Sequence, residues 1–216
     1  MNKATKFVIE PKIGEGIYST QDISALLDLP YHKVRQAMSG FWKNYTFGQK
    51  GDKSVNFLTL IEFYTYYKLR EIGIKASVIK KAHGEISKHL NTPYPFARDI
   101  IQTDGKGIWY DLLELLINAD GTQQINIAPL VKPFLSKIKF NDKKLAERYF
   151  PLDGSDKIVV DPKLQFGQPV ITGTRIKAEI IHDFYNAGES KELICKLYNL
   201  SNEQVEDAIS YYKQSA

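Results

Sequence analysis

Residues 166–176 read FGQPVITGTRI, two glycines set around hydroxyls and a guanidinium, a composition able to wrap a phosphate. A nucleotide-binding loop places four residues between its glycines and follows the second with Lys and Ser or Thr, so that amides and one ammonium share the charge. Here five residues separate Gly167 from Gly173, Thr174 and Arg175 follow, and Pro169 removes an amide. The stretch therefore reads as a structural joint, with Gly173 supplying a left-handed turn from an extended segment into a helix. A second group, Tyr31, His32, Lys33, Arg35 and Gln36, has another chemistry. An arginine can bind a guanine edge with two hydrogen bonds and a glutamine an adenine edge, while lysine and histidine suit phosphates. His83, His89 and His182 are scattered, and the single Cys195 sits among apolar residues. No metal site, cofactor or catalytic residue is expected.

The elements that must carry the basic group can be read locally. Ser19 stands three residues before Asp22, a capping-box start for a helix near Thr20 whose apolar face is Ile23, Leu26 and Leu27. Asp28 to Pro30 breaks it, and a second helix follows with Val34, Ala37, Met38 and Phe41 as its stripe. Two short helices about a tight turn form a helix-turn-helix whose second member displays the polar group outward. "FGQKGDKSVNF" then predicts a hairpin with Lys50 and Lys53 near its tip, the position of a wing. Thr59 and Glu62 are spaced as another capping box, for a helix ending at Gly73, and a basic helix is expected from about Ala76 to Leu90. Thr20, Tyr31, His32, Lys33, Arg35, Gln36, Lys50 and Lys53 are the expected DNA contacts.

Charge follows the same division. Residues 1–93 hold 14 Lys and Arg against 8 Asp and Glu, residues 94–155 hold 8 against 8, and residues 156–216 hold 7 against 9. A cationic front and a mildly acidic rear suit a polyanion at one end and a different partner at the other. No apolar run approaches the ~20 residues of a membrane span, and the amino terminus lacks a signal-peptide core. A cytoplasmic chain without membrane contact is expected, in keeping with its lone cysteine.

From Pro93 the texture changes. Asp104-Gly105 and Asp120-Gly121 each lie between strand-like runs and predict two successive hairpins, a small antiparallel meander acting as spacer or dimer contact, with "APLVKPFLSKI" as a covering helix. Beyond residue 156 a strand, the glycine stretch and three helices are expected. Thr174 or a neighbour caps the first, with Ile181, Phe184 and Tyr185 as its apolar face. Gly188 and Ser190 separate it from the second, where Ile194, Leu197 and Tyr198 point inward. "SNEQ" opens the last, whose Val205, Ala208, Ile209 and Tyr212 share a face and whose Glu203, Glu206 and Asp207 would repel phosphates.

Two resemblances join these readings. Residues 17–90, with helix, turn, helix, hairpin and the "REIGI" helix pair, resemble the MerR-type winged helix-turn-helix, although Asp28 and Pro30 replace the glycine and serine frequent in that turn and the cysteines of metal-sensing members are absent. Residues 156–213 resemble a small bacterial domain family associated with VapB-type antitoxins, whose pattern is matched by Gly167, Pro169, Val170, Ile171, Gly173, Thr174, Arg175, Ile176, Gly188, Glu189 and Ser190. The resemblance implies a mainly α fold with a β-rich middle: residues 1–92 a winged helix-turn-helix, 93–155 a β connector, and 156–216 a three-helix, helix-turn-helix-like domain. It further implies a non-enzymatic antitoxin that binds double-stranded operator DNA as a homodimer or higher oligomer and neutralises a PIN-type or PIN-like ribonuclease toxin. Its expected partner surface comprises Gly167, Pro169, Gly173, Thr174, Arg175, Glu203, Glu206 and Asp207. The alternative is a stand-alone MerR-like regulator whose carboxyl-terminal domain senses a ligand or dimerises.

Overall fold

A computed structural model describes residues 10–49, 51–99 and 133–214 of the chain. About half of these residues are helical, and the strands form small antiparallel sheets. Strand β1 (Tyr18–Ser19) runs into α1 (Thr20–Leu27), which begins as its sequence predicts: Ser19 Oγ accepts from the Asp22 amide, and the Asp22 carboxylate accepts from the Ser19 amide at 2.8 Å. Asp28 closes α1 in a left-handed conformation, and α2 (Tyr31–Ser39) follows Pro30 directly. Strands β2 (Phe47–Gln49) and β3 (Asp52–Val55) form the expected hairpin, and β1 adds to its other edge with Tyr18 opposite Val55.

Helix α3 (Phe57–Glu71) is buried over most of its circumference, as a helix apolar on nearly all sides must be. Its start corrects one reading. Thr59 and Glu62 do not make a capping box; Asn56 caps the helix, its Oδ1 accepting from the Thr59 amide at 3.0 Å. Glu62 lies a turn deeper and is fully buried, so its carboxylate is held by tertiary donors. Helix α4 (Ala76–His89) packs beside α3, and Trp42 fills the space between them and α2, its indole 5.2 Å from the Phe63 ring and 5.4 Å from His83.

The chain then crosses α3 through residues 92–99, where the Phe96 carbonyl accepts from Thr65 Oγ1 and the Ala97 carbonyl from the Ala146 amide. Strands β4 (Ile138–Phe140) and β5 (Ala146–Tyr149) pair antiparallel, and Tyr149 exchanges two backbone hydrogen bonds with Val160. That exchange joins them to the pair β6 (Ile158–Val159) and β7 (Val170–Ile171). The turns expected at Asp104-Gly105 and Asp120-Gly121, and Lys50, lie outside the described residues.

Three helices end the described chain: α5 (Ala178–Asn186), α6 (Lys191–Tyr198) and α7 (Asn202–Gln214). Ser190 caps α6, and Ser201 with Gln204 forms the predicted capping box of α7. Ile181, Ile194, Val205, Ala208 and Ile209 close their core. Two expectations need correction. Thr174 caps no helix: its hydroxyl accepts from the Ile176 amide within its own turn, and Lys177 stands at the N-cap of α5 without a side-chain cap. Leu197, expected inside, is 60% exposed, because Ile194 and Tyr198 already occupy the inner face of a helix only eight residues long.

Candidate functional site

On α2 the side chains of Tyr31, His32, Lys33, Arg35 and Gln36 are all exposed, while Val34 and Met38 on the opposite face are buried. Arg35, Lys33 and Lys43 have no carboxylate within ion-pair distance among the described residues, leaving their charge available. Lys53 is half-buried on β3 at the hairpin. Thr20 is not available in the same way, since its hydroxyl donates to Met38 Sδ at 3.3 Å and ties α1 to α2. Beside α2 lies a cavity of about 650 Å³, walled by Lys33, Gln36, Phe41, Tyr66, Arg70 and Lys80 among others.

The glycine stretch is a turn between paired arms, Val170 facing Lys177 antiparallel, and not a direct joint from strand into helix; it also makes a long-range contact. Gly173 adopts φ +82 and turns the chain after β7, where the Thr174 amide and hydroxyl both donate to the Ile171 carbonyl. Gly167 faces inward: a Cβ there would lie 2.0 Å from Tyr18 Oη. The adjoining Ile17 amide donates to the Phe166 carbonyl at 3.2 Å. The strand that feeds α1 thus rests on the loop between β6 and β7. Among the described residues Tyr18 Oη is buried without a hydrogen-bond partner, and burial, with Asp161 and Asp22 nearby, pushes the phenol far above its ordinary pKa.

The residues grouped from sequence as one partner surface differ in exposure. Gly167 and Pro169 are buried, Gly173 and Arg175 exposed. The acids of α7 are engaged locally: Glu206 meets Lys191 at 2.8 Å, Glu203 lies 3.7 Å from Lys157, and Asp207 accepts from Ser155 Oγ. Lys191 holds the Glu206 carboxyl below the usual carboxylate range. Arg148 is bound at 3.0 Å by the buried Asp161. Arg175 keeps no ion pair among the described residues, Glu179 included. Gln165 Nε2 donates to its carbonyl and fixes the loop against it.

Sequence reading missed Glu62 and His83. Glu62 Oε2 lies 2.8 Å from His83 Nε2 inside a ring of Phe41, Trp42, Tyr45 and Phe96, while Oε1 accepts from the amides of Phe96 at 2.7 Å and Ala97 at 3.1 Å. Twenty-one residues separate the pair in sequence, so no local spacing announces it. Among the described residues no three His, Cys, Asp or Glu side chains converge as a metal site, and no helix is long and apolar enough to cross a membrane.

The chain is similar to known proteins from Mycobacterium tuberculosis. The fold is that of the crystal structure of Rv2018 from Mycobacterium tuberculosis, with a TM-score of 0.71 at 19% identity over 89% of this chain and 96% of that one. Residues 158–212, the strand pair and three helices around the glycine stretch, match the family described as a protein of unknown function, DUF433. The chain is 23% identical over 168 residues, 71% of its length and 69% of the relative's, to the Mycobacterium tuberculosis protein named "Putative antitoxin VapB45". It is 36% identical over 58 residues, 27% of its length and 24% of the relative's, to uncharacterized protein Rv2308 of the same organism.

Proposed function

We propose that this chain is the antitoxin of a toxin–antitoxin pair and the repressor of its own operon. Residues 1–92 act as a winged helix-turn-helix: Arg35 and Gln36 read base edges, Tyr31, His32 and Lys33 meet the backbone, and Lys50 and Lys53 bring the hairpin to phosphates. Residues 156–216 engage and block a PIN-type ribonuclease toxin. The observation that carries the reading is the exposed polar row of α2, whose Lys33 and Arg35 have no ion pair among the described residues, on a chain that resembles the protein named "Putative antitoxin VapB45" over most of its length. Binding as a homodimer would demand half-sites spaced by about one duplex turn, ~34 Å, or a multiple of it.

Two substitutions separate the roles. Replacing Arg35 by Ala should cost about 1–3 kcal/mol on the preferred operator and relax preference at one base position. Lys53→Ala should instead weaken all sequences alike and reduce the salt slope of binding by about 1. Fluorescence anisotropy on promoter and scrambled duplexes, titrated across salt, measures both. Co-expression with the protein encoded by the neighbouring reading frame tests the second half: a stable complex that suppresses ribonuclease activity is the expected result.

The cavity beside α2 favours one second reading, a stand-alone regulator, with the ligand bound in the amino-terminal half. Its size falls in the range of small-molecule sites, and its aromatic walls, with Arg70 tied to the Ile74 carbonyl, Lys80 over the Phe41 ring and Glu71 beside them, suit an aromatic effector. Operator affinity that responds to such a compound, with no complex formed with the neighbouring gene product, would select it.

A further inference from the structure

Gln165, Phe166 and Gly167 occupy the left-handed backbone region in succession, with φ of +47, +58 and +89. Glycine does this freely; a bulky aromatic side chain does it at a cost and is seldom found there. Folding gains little from Phe166 in return, because its ring is 77% exposed. Strain of this kind persists where the surrounding structure enforces it, and it concentrates at sites of function. The enforcement is visible: the Phe166 carbonyl is held by the Ile17 amide, the Gly167 amide donates to Leu164, and Gln165 is tied to the Arg175 carbonyl.

The setting of the ring defines a chemistry. Ile17, 45% exposed, adjoins it through that amide, and Arg175, bound through Gln165, is exposed. Lys163 and Arg148 on the same side are neutralised by Glu147 and Asp161, whereas neither Arg175 nor Lys177 has a carboxylate within ion-pair distance among the described residues. A protruding aromatic beside unpaired cations is the composition of an interface anchor, since aromatic and arginine side chains dominate binding energy. A partner whose facing surface carries carboxylates suits these cations better than a second copy, which about a two-fold axis through this edge would bring cation against cation.

We infer that Phe166 and Arg175 form the anchor by which the partner protein is held, the ring entering an apolar slot whose rim carries carboxylates. The inference rests on the antitoxin reading and refines it, moving the contact from the acids of α7, which are spent on Lys157, Lys191 and Ser155, to this aromatic and cationic edge.

Phe166→Gly, Phe166→Tyr and Arg175→Ala in the full chain test it, with the separately purified neighbouring gene product as probe in calorimetry and the promoter duplex as control. Phe166→Gly should weaken the protein complex at least 10-fold while leaving operator affinity unchanged and the melting temperature no lower than wild type, because glycine relieves the left-handed backbone. Phe166→Tyr should retain binding, and Arg175→Ala should weaken it with a shallower dependence on salt. Wild-type affinity in the glycine variant overturns the anchor while sparing the antitoxin reading. Loss of operator affinity in that variant overturns it in favour of nucleic acid as the ligand. Failure of the wild-type chain to bind the gene product removes the antitoxin reading and the anchor with it.

Discussion

Gly167→Ala should lower the melting temperature on the order of 10 °C, and Gly173→Ala should lower it by only about 3 °C, although both glycines share a left-handed backbone near φ +85. A side chain in that conformation costs roughly 1–2 kcal/mol at either position. At Gly173 nothing lies within 4 Å of the added Cβ, so the cost ends there. At Gly167 the same atom would fall 2.0 Å from Tyr18 Oη and 2.6 Å from Cζ. Tyr18 cannot yield easily, being fully buried and fixed at both ends: Gly16 closes on its ring from the other side, and Ser19 beside it caps α1. Forcing an extra carbon into a packed site costs about another 1–3 kcal/mol, and for a chain of this length each kcal/mol shifts the midpoint by roughly 2–4 °C. Because Tyr18 Oη has no partner among the described residues, Tyr18→Phe should leave the wild type equally or more stable and should restore part of the loss in the Gly167→Ala background. Calorimetry of the four variants decides the matter. Equal losses at Gly167 and Gly173, with no rescue, would dismiss the contact between the start of α1 and the glycine stretch.

That contact has a functional corollary. The amide of Ile17 and the ring of Tyr18 are two residues and one residue from Ser19, the cap on which α1 depends, and α1 in turn carries α2 through Thr20 and Met38. The glycine stretch is therefore only one packed layer from the exposed row of α2. The strand-to-helix joint expected at Gly173 is instead the tip of a turn that folds the chain back antiparallel, Val170 facing Lys177, before the helix begins at Ala178; at Gly167 the same motif serves as a seat for a distant part of the chain.

Legibility of these features follows the range of the forces involved. The capping boxes at Ser19 and Ser201, the hairpin around Gly51, the left-handed closure at Gly73 and the break at Gly188 were readable because each is decided within four residues. So was the outward row of α2, since a helix with Val34 and Met38 buried must present its other side. Glu62 was misread for the same reason. Its spacing from Thr59 imitates a cap, but Asn56 offers the better geometry, and partners more than twenty residues away claim the carboxylate. Leu197 followed the helical period, yet Ile194, Cys195 and Tyr198 fill the inner face of so short a helix. The acids of α7 were legible as acids, but their lysine partners come from residues 157 and 191, on other elements. Phe166 carried no local signal, because an exposed aromatic and a left-handed backbone are each invisible in residue type.

The buried carboxylate of Glu62 is the other place where one side chain governs much of the fold. Glu62→Ala would strip the partner from His83 Nε2 and from the amides of Phe96 and Ala97 together, inside a ring of aromatic side chains that admits no water to Glu62. Leaving these buried groups without a partner costs about 1–3 kcal/mol for each, enough to unfold much of a marginally stable population. Glu62→Gln should be far milder, since its carbonyl can still accept from both amides and its amide can donate to the imidazole. Burial raises the Glu62 carboxyl above its ordinary value of 4.5, outweighing the opposing pull of His83 and the two amides. The folded chain thus holds a proton that the unfolded chain releases above pH about 4.5. The sign follows: this contribution to stability is fully present below that pH and is lost as pH rises through the raised folded value. Urea melts across pH should show the stability of wild type relative to Glu62→Gln declining as pH rises from about 4.5. A relative stability that climbs with pH instead would mean that His83 and the amides prevail over burial, and that the pair is held as an ionised carboxylate.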